Sequence, residues 1–237
     1  MMNDYSSNLA MITDALQAWI IHKYWSGDTS ARVVFFTREQ GLIRCLYKGG
    51  RTPKKQALLQ AFSPLWLAMD VRGQAHFVRQ LEAASPPMLL VGHTLFAGLY
   101  VNELLHHALQ PNDPDELLYL AYVHTLNLLT KTTDRFAIEA ILRRFEWTLL
   151  TSCGYHMSLT HDAKTALPIS AHLYYRFIPG EGFIMEASGI CGTHLMAMAA
   201  DDLDDKAVLK TAKHIMRRAI DHALDGKIIK ARALYQK

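Results

Sequence analysis

Five short apolar segments crowd the first third of the chain: LQAWIIHKYW (16–25), ARVVFFT (31–37), GLIRCLYK (41–48), LQAFSPLWLAM (59–69) and AHFVRQLEA (75–83). They are rich in β-branched and aromatic residues. Turn-forming sequences separate them: Ser26-Gly27-Asp28, Glu39-Gln40-Gly41, Gly49-Gly50 and Asp70 to Gly73. Five strands within about 85 residues predict a small closed or partly closed barrel. Five is the strand number of the OB-fold, although SH3-like barrels share the pattern.

After Ser85-Pro86-Pro87 the spacing of apolar residues becomes helical. MLLVGHTLFAGLYVNELLHHAL (88–109) is one such stretch. NDPDELLYLAYVHTLNLL (112–129) opens with Asp113 as a predicted N-cap, Pro114 at the first helical position and Glu116 completing the cap. DRFAIEAILRRFEWTLL (134–150) puts Ile138, Ile141, Leu142, Phe145 and Leu149 on one face. Three such helices with short connections predict a bundle. Residues 154–192 read as irregular, with a hairpin of LYYRF (173–177) and GFIMEA (182–187). A last helix is predicted over about 202–224, acidic at its start and basic later as the helix dipole favours, with Gly226 as its stop. The expected fold class is therefore α+β. Its parts are an N-terminal extension (1–13), a barrel domain (14–85) and a helical domain (86–237) holding an irregular subdomain (154–192).

Of 237 residues, half are hydrophobic and a fifth charged, the balance of a globular protein. The net charge of +3 is too small to attract a polyanion in bulk, so any such attraction requires local clustering. Cys45, Cys153 and Cys191 form no CxxC pair, and their odd number fits a reducing cytoplasm. The start of the chain lacks the basic and apolar regions of a signal peptide, and Met11 is an alternative start. No apolar run is long enough to span a bilayer, so no membrane is expected among the partners.

Charge does cluster at GLIRCLYKGGRTPKKQ (41–56). Arg44, Lys48, Arg51, Lys54 and Lys55 fall within it, and no Asp or Glu occurs from Gln40 to Met69. On a strand, Arg44 and Lys48 point one way while Ile43, Cys45 and Tyr47 point into the barrel. With Gly49-Gly50 read as a hairpin turn, the segment presents cations along an extended track, as a phosphate backbone requires. Tyr24, Trp25, Phe35, Phe36, Tyr47 and Trp66 lie nearby as core or stacking residues.

LYKGGRTPKKQALLQAFSPLWL (46–67), with ARVVFFTREQGLIRCLYKGG (31–50) before it, resembles the RecO family of bacterial recombination mediators. FAGLYVNELLHHAL (96–109), LRRFEWTLLTSCGY (142–155) and GKIIKARALYQK (226–237) continue the likeness in the same order. The resemblance implies an N-terminal OB-fold and a helical bundle. It implies a cytoplasmic, nucleoid-associated protein, not an enzyme and without a cofactor. Such a protein binds single- and double-stranded DNA and anneals strands coated with single-stranded DNA-binding protein (SSB). With RecR it helps load RecA, and RecF belongs to the same set of partners. Carried onto this chain, Arg44, Lys48, Arg51, Lys54 and Lys55 become DNA contacts, with Lys23, Arg72 and Arg79 extending the track. Arg143 and Arg144 become candidates for the acidic, Phe-terminated SSB tail, since an arginine beside an apolar groove suits a carboxylate-bearing peptide. For Arg143 the plainer alternative is an intrahelical pair with Glu139.

Many RecO relatives carry four zinc-binding cysteines after the Gly-Tyr of the third helix. Here GYHMSLTHDAKTALPIS (154–170) has none, so a zinc-finger-like insertion lacking its cysteine ligands is expected. A substitute set of Cys153, His156, His161, Cys191 and His194 is not favoured, and no metal site is predicted. The alternative function is a metal-dependent enzyme built on Glu103-x-x-His106 and other histidines, half of a di-iron bundle motif. Lys206, Lys210, Lys213 and Arg217 share a helix face that reads as a solvated stripe. Neither a phosphate-binding loop nor a nucleophile motif is present.

Overall fold

The structure, a computed structural model, describes residues 15–236. The N-terminal extension expected over 1–13 lies outside them. Packing divides the described residues into two compact units: residues 15–90 with 102–130, and residues 91–101 with 131–236.

The first unit is built on β1 (Leu16–Ser26), β2 (Ser30–Thr37), β3 (Gly41–Tyr47), β4 (Leu65–Arg72) and β5 (Ala75–Ala83). They close into a barrel in the order β1-β2-β3-β5-β4, with β3 and β5 parallel and all other pairs antiparallel. Alternation places Ala18, Ile20, Ala31, Val33, Phe35, Ile43, Cys45, Leu65 and Leu67 inside. Cys45 is packing material, and burial pushes its thiol up to about 12.

The fourth strand starts later than predicted. Residues 59–64 are not strand, and Leu59 instead plugs the barrel core. The chain reaches β4 through a one-turn helix, α1 (Pro53–Gln56), with Pro53 at its first position. Proline suits that place because its fixed φ is helical and its missing N–H would be unpaired there anyway.

α2 (His93–Ala108) and α3 (Glu116–Leu129) follow. The N-cap of α3 is Asp115, whose carboxylate accepts from Leu118 N at 2.9 Å, and not Asp113 as the sequence suggests. Asp113 is held elsewhere: its carbonyl lies where a Cβ on Gly41 would sit, 2.2 Å away. Gly41 has φ +67°, so that position demands glycine twice over.

The second unit contains α4 (Arg135–Ser152), a sheet in the order β7-β6-β8, and α5 (Gly192–Ala199) and α6 (Lys206–Ala223). The strands are β6 (Tyr174–Ile178), β7 (Gly182–Glu186) and β8 (Ile190–Cys191). The predicted hairpin is present, and β8 and α5 add to the irregular segment expected over 154–192 and beyond it. α4 is capped by Asp134 and buries Ile138, Ile141, Leu142, Phe145 and Leu149. α6 begins after the N-cap Asp205 and not at 202. It closes with Gly226 N donating to Asp221 O at 3.0 Å and Asp225 N to His222 O at 3.1 Å, a Schellman pattern.

Asp162 organises the irregular segment. Its side chain, 4% exposed, accepts from Lys164 N, Thr165 N and Thr165 Oγ1 at 2.8–3.0 Å and from Met185 N at 2.7 Å. Those hydrogen bonds, led by the Thr165 amide, hold its carboxyl below the usual carboxylate range.

Candidate nucleic-acid interface

Within the first unit, one side of the barrel is covered and another is open. On the covered side Trp19 Nε1 donates to the Tyr119 hydroxyl at 3.0 Å, and Phe36 packs on the Tyr119 and Tyr122 rings at 5.5 and 5.7 Å. Tyr122 in turn donates to Asn102 Oδ1 at 2.8 Å. Elsewhere the outward positions mix aromatic, apolar and charged groups. Tyr24, Arg32, Leu46 and Phe77 form one row across β1, β2, β3 and β5 by their pairing. Arg44 and Lys48 flank that row on β3 and just beyond it.

The basic segment is not a hairpin. β3 pairs with β2 and β5, while β4 pairs with β1 and β5, so Gly49-Gly50 joins no adjacent strands. Closing a five-stranded barrel in this order makes the connection a crossover, which pairing preferences along the chain do not reveal. It is nonetheless well fixed. Gly50 N donates to Tyr47 O at 3.1 Å, Thr52 Oγ1 to Gly49 O at 2.8 Å, and Arg51 N to Thr29 O at 3.0 Å. α1 then displays Lys54 and Lys55.

The cations lie over rings and carbonyls. Lys48 Nζ is 5.4 Å and the Arg72 guanidinium 5.7 Å from the Phe77 centroid. Lys55 Nζ lies 4.9 Å from the Tyr47 ring and donates to Lys48 O at 2.9 Å. Arg51 Nη1 donates to Gly27 O at 3.0 Å, and its guanidinium is 5.5 Å from Trp25. Lys23 donates to Leu59 O and sits 5.8 Å from Trp25, and burial lowers its pKa.

Among the described residues no carboxylate lies within ion-pair distance of Arg44, Lys48, Arg51, Lys54 or Lys55. Arg79 differs, standing 3.8 Å from Asp70. One exposed cation escaped the sequence reading. Arg32 is opposite Tyr24 and Leu46 on the outer face. Its signal was present, since Ala31 and Val33 on either side face inward.

The histidines assemble differently from a metal site. His106 stacks on His22 at 4.6 Å and lies 5.2 Å from His107, while Glu103 pairs with His107 at 3.8 Å. Among the described residues no group of three or more His, Cys, Asp or Glu could hold a metal ion, so the metal-enzyme alternative has no donor set to rest on. Burial, then the neighbouring His22, His107 and Arg44, push the His106 imidazole down to about 4, against a weaker upward pull from Glu103. Between about pH 6.5 and 4 the unfolded chain therefore holds a proton that the folded chain refuses, and stability falls as the pH drops through that window. His106→Gln is expected to flatten the acid limb of a melting-temperature profile there, with no change above pH 7.

The two adjacent arginines of α4, Arg143 and Arg144, have different environments. Arg143 is 6% exposed and bonded to Glu146, while Glu139 turns to Lys213 at 2.6 Å, so the predicted Glu139–Arg143 pair is absent. Lys213 thereby leaves the solvated stripe for an ion pair. Arg144 is exposed, and its Nε donates to both carboxylate oxygens of Asp201 at 2.8 and 2.9 Å. It lies on a groove of about 630 Å³ lined largely by Trp147, Met157, Leu159, Met198 and Met216.

Among the described residues no helix is long and apolar enough to cross a membrane. The chain matches two family descriptions, "Recombination protein O N terminal" over residues 11–87 and "Recombination protein O C terminal" over residues 90–230. It is 55% identical over 226 residues to the DNA repair protein RecO of Legionella pneumophila (strain Corby), covering 95% of this chain and 99% of that one. Against the DNA repair protein RecO of Pseudoalteromonas atlantica the identity is 31% over 233 residues, 96% of each chain. Against that of Shigella flexneri it is 34% over 227 residues, 93% of each. With a closed five-stranded barrel of the OB type leading into helices, and with both halves of the family pattern matched in order, the chain belongs to the RecO family of DNA repair proteins.

Proposed function

We propose that this protein is a non-enzymatic recombination mediator whose open barrel side grips the phosphates of single- and double-stranded DNA. The observation that carries the reading is the set of five clustered cations, Arg44, Lys48, Arg51, Lys54 and Lys55, with no carboxylate in ion-pair distance among the described residues. A surface without a partner normally mixes signs. Cations held over rings and carbonyls stay available, because those contacts are weak beside a phosphate. Arg32 and Arg72 extend the track, Lys23 borders it, and Arg79 contributes less because Asp70 already neutralises it.

Residues 14–85 serve as the DNA-binding domain, and residues 86–237 dock partners. The groove beside Arg144 takes the acidic, apolar-ended tail of SSB, with Arg143 as a fixed wall behind it. RecR then engages the complex, RecA is loaded, and RecF acts in the same pathway. The work is done in the cytoplasm at the nucleoid, and base pairing drives annealing without a nucleotide cofactor.

Asp201 already occupies Arg144 as a ligand carboxylate would. Asp201→Asn is therefore expected to strengthen binding of a fluorescent SSB-tail peptide about two- to five-fold, since exposed pairs are worth up to about 1 kcal/mol. Arg144→Ala should weaken it by more than about ten-fold. The whole reading is tested by annealing SSB-coated complementary oligonucleotides. Wild type should accelerate annealing and the Arg51/Lys54/Lys55 triple alanine variant should not. Equal acceleration by both would remove the basic segment from the function.

A further inference from the structure

We infer that Trp25 is a stacking platform for an unpaired nucleobase, and that it makes this end of the barrel prefer single strands to duplex. The inference rests on the DNA-binding reading above and adds a subsite to it. Trp25 is 43% exposed, whereas Trp19 on the same strand is 3% exposed. At that exposure the ring offers a stacking surface at the end of an otherwise well-packed barrel.

The fold explains why the ring stays exposed. β1 pairs with β4 only at Leu16, Gln17 and Ala18, so its last residues are paired with β2 alone and have an open edge. Opposite Trp25 stands Ala31, which is small and fully buried and offers the ring no cover. The interior core ends here, and on the same face of β1 comes Lys23 in place of another apolar residue.

Of the two cations beside the ring, Arg51 is the one suited to exchange. The Arg51 guanidinium and Lys23 ammonium lie 5.5 and 5.8 Å from its centroid. Arg51 is otherwise held by one hydrogen bond to Gly27 O on the surface. When a single strand arrives, Arg51 can move to a phosphate while a base takes its place on the indole. One cation–π contact is exchanged for a base–π contact and a charge-assisted phosphate contact. A duplex cannot make this exchange, because its bases are already stacked and paired and offer the ring only their edges. Arg44 and Lys48 on the outer face need only phosphates and serve either form. Phe77 is a poorer platform because it is half-buried, whereas Trp25 is 43% exposed.

The test uses the full chain and labelled oligonucleotides at one salt concentration: a 20-mer of thymidines, an abasic strand of equal length and a duplex. Trp25→Ala should weaken binding of the thymidine strand about five- to a hundred-fold and of the duplex less than about two-fold. The salt slope should not change, since no charge is lost. The abasic strand should bind wild type and Trp25→Ala equally, and Trp25→Phe should keep most of the affinity. Equal losses on strand and duplex, or an unchanged thymidine affinity, would overturn the inference. Should the cation substitutions alter binding while Trp25→Ala does not, the platform alone is wrong. Should neither alter it, the DNA reading and the platform fall together.

Discussion

Replacing Arg51, Lys54 and Lys55 together by alanine is expected to weaken single-stranded DNA binding by about 100-fold at 0.1 M salt. Each phosphate neutralised on a single strand contributes about 0.7 to the slope of log affinity against log salt, so three contacts give about two logarithmic units at that concentration. The protein should remain folded. All three side chains are exposed, and their contacts are surface hydrogen bonds and ring approaches. Substitutions of that kind usually change stability by less than about 0.5 kcal/mol. A thermal melt within a degree or two of wild type, beside the lost affinity, separates a binding defect from a folding one. If the variant binds normally, the phosphates are held elsewhere.

Arg143→Ala is expected to destabilise the second unit strongly. Glu146 is 0% exposed, accepts from the Tyr100 hydroxyl at 2.6 Å and is paired with Arg143. Burial and the Glu146 charge together push the Tyr100 phenol well above its ordinary range, so it stays a proton donor. Removing the arginine leaves a buried carboxylate with one neutral partner. Breaking one side of a buried pair costs about 3–5 kcal/mol. For a chain of this size that lowers the melting temperature by roughly 6–20 °C. Removing both charges, as Arg143→Met with Glu146→Leu, should recover most of the loss, because a buried pair gains little over apolar residues of similar volume. A double variant as unstable as the single one would show that the pair is not the source.

The two substitution sets divide the molecule's cations by purpose. Arg143 is buried against Glu146, whereas the exposed Arg51, Lys54 and Lys55 are the ones proposed to meet a partner. Adjacent residues can fall on different sides of that line. Arg144 follows Arg143 in the chain, yet it is turned outward to Asp201 and the groove.

Much of this is legible in the sequence where local rules decide. Alternation in GLIRCLY sets Ile43, Cys45 and Tyr47 inside and Arg44 outside, and both follow in the structure. The helical face of α4 is likewise readable from its 3.6-residue spacing. What is not legible depends on contacts distant in sequence. The crossover after Gly49-Gly50 looks like a hairpin until β5 is known to lie beside β3. Asp113 loses the cap of α3 to Asp115 because its own carbonyl is pressed against Gly41. Glu139 finds Lys213, 74 positions away, in place of its helix neighbour. The candidate site divides the same way: its cations can be counted along the chain, but which of them face Trp25, Phe77 or Asp70 is decided by strand register.

The most direct measurement is the affinity of a labelled single strand for wild type and for the alanine variant at Arg44, Lys48, Arg51, Lys54 and Lys55, taken across a salt series. Five contacts predict a wild-type slope at least about 3.5 steeper than the variant's. Parallel lines for the two proteins would contradict the account, because the five cations would then release no counterions and hold no phosphate.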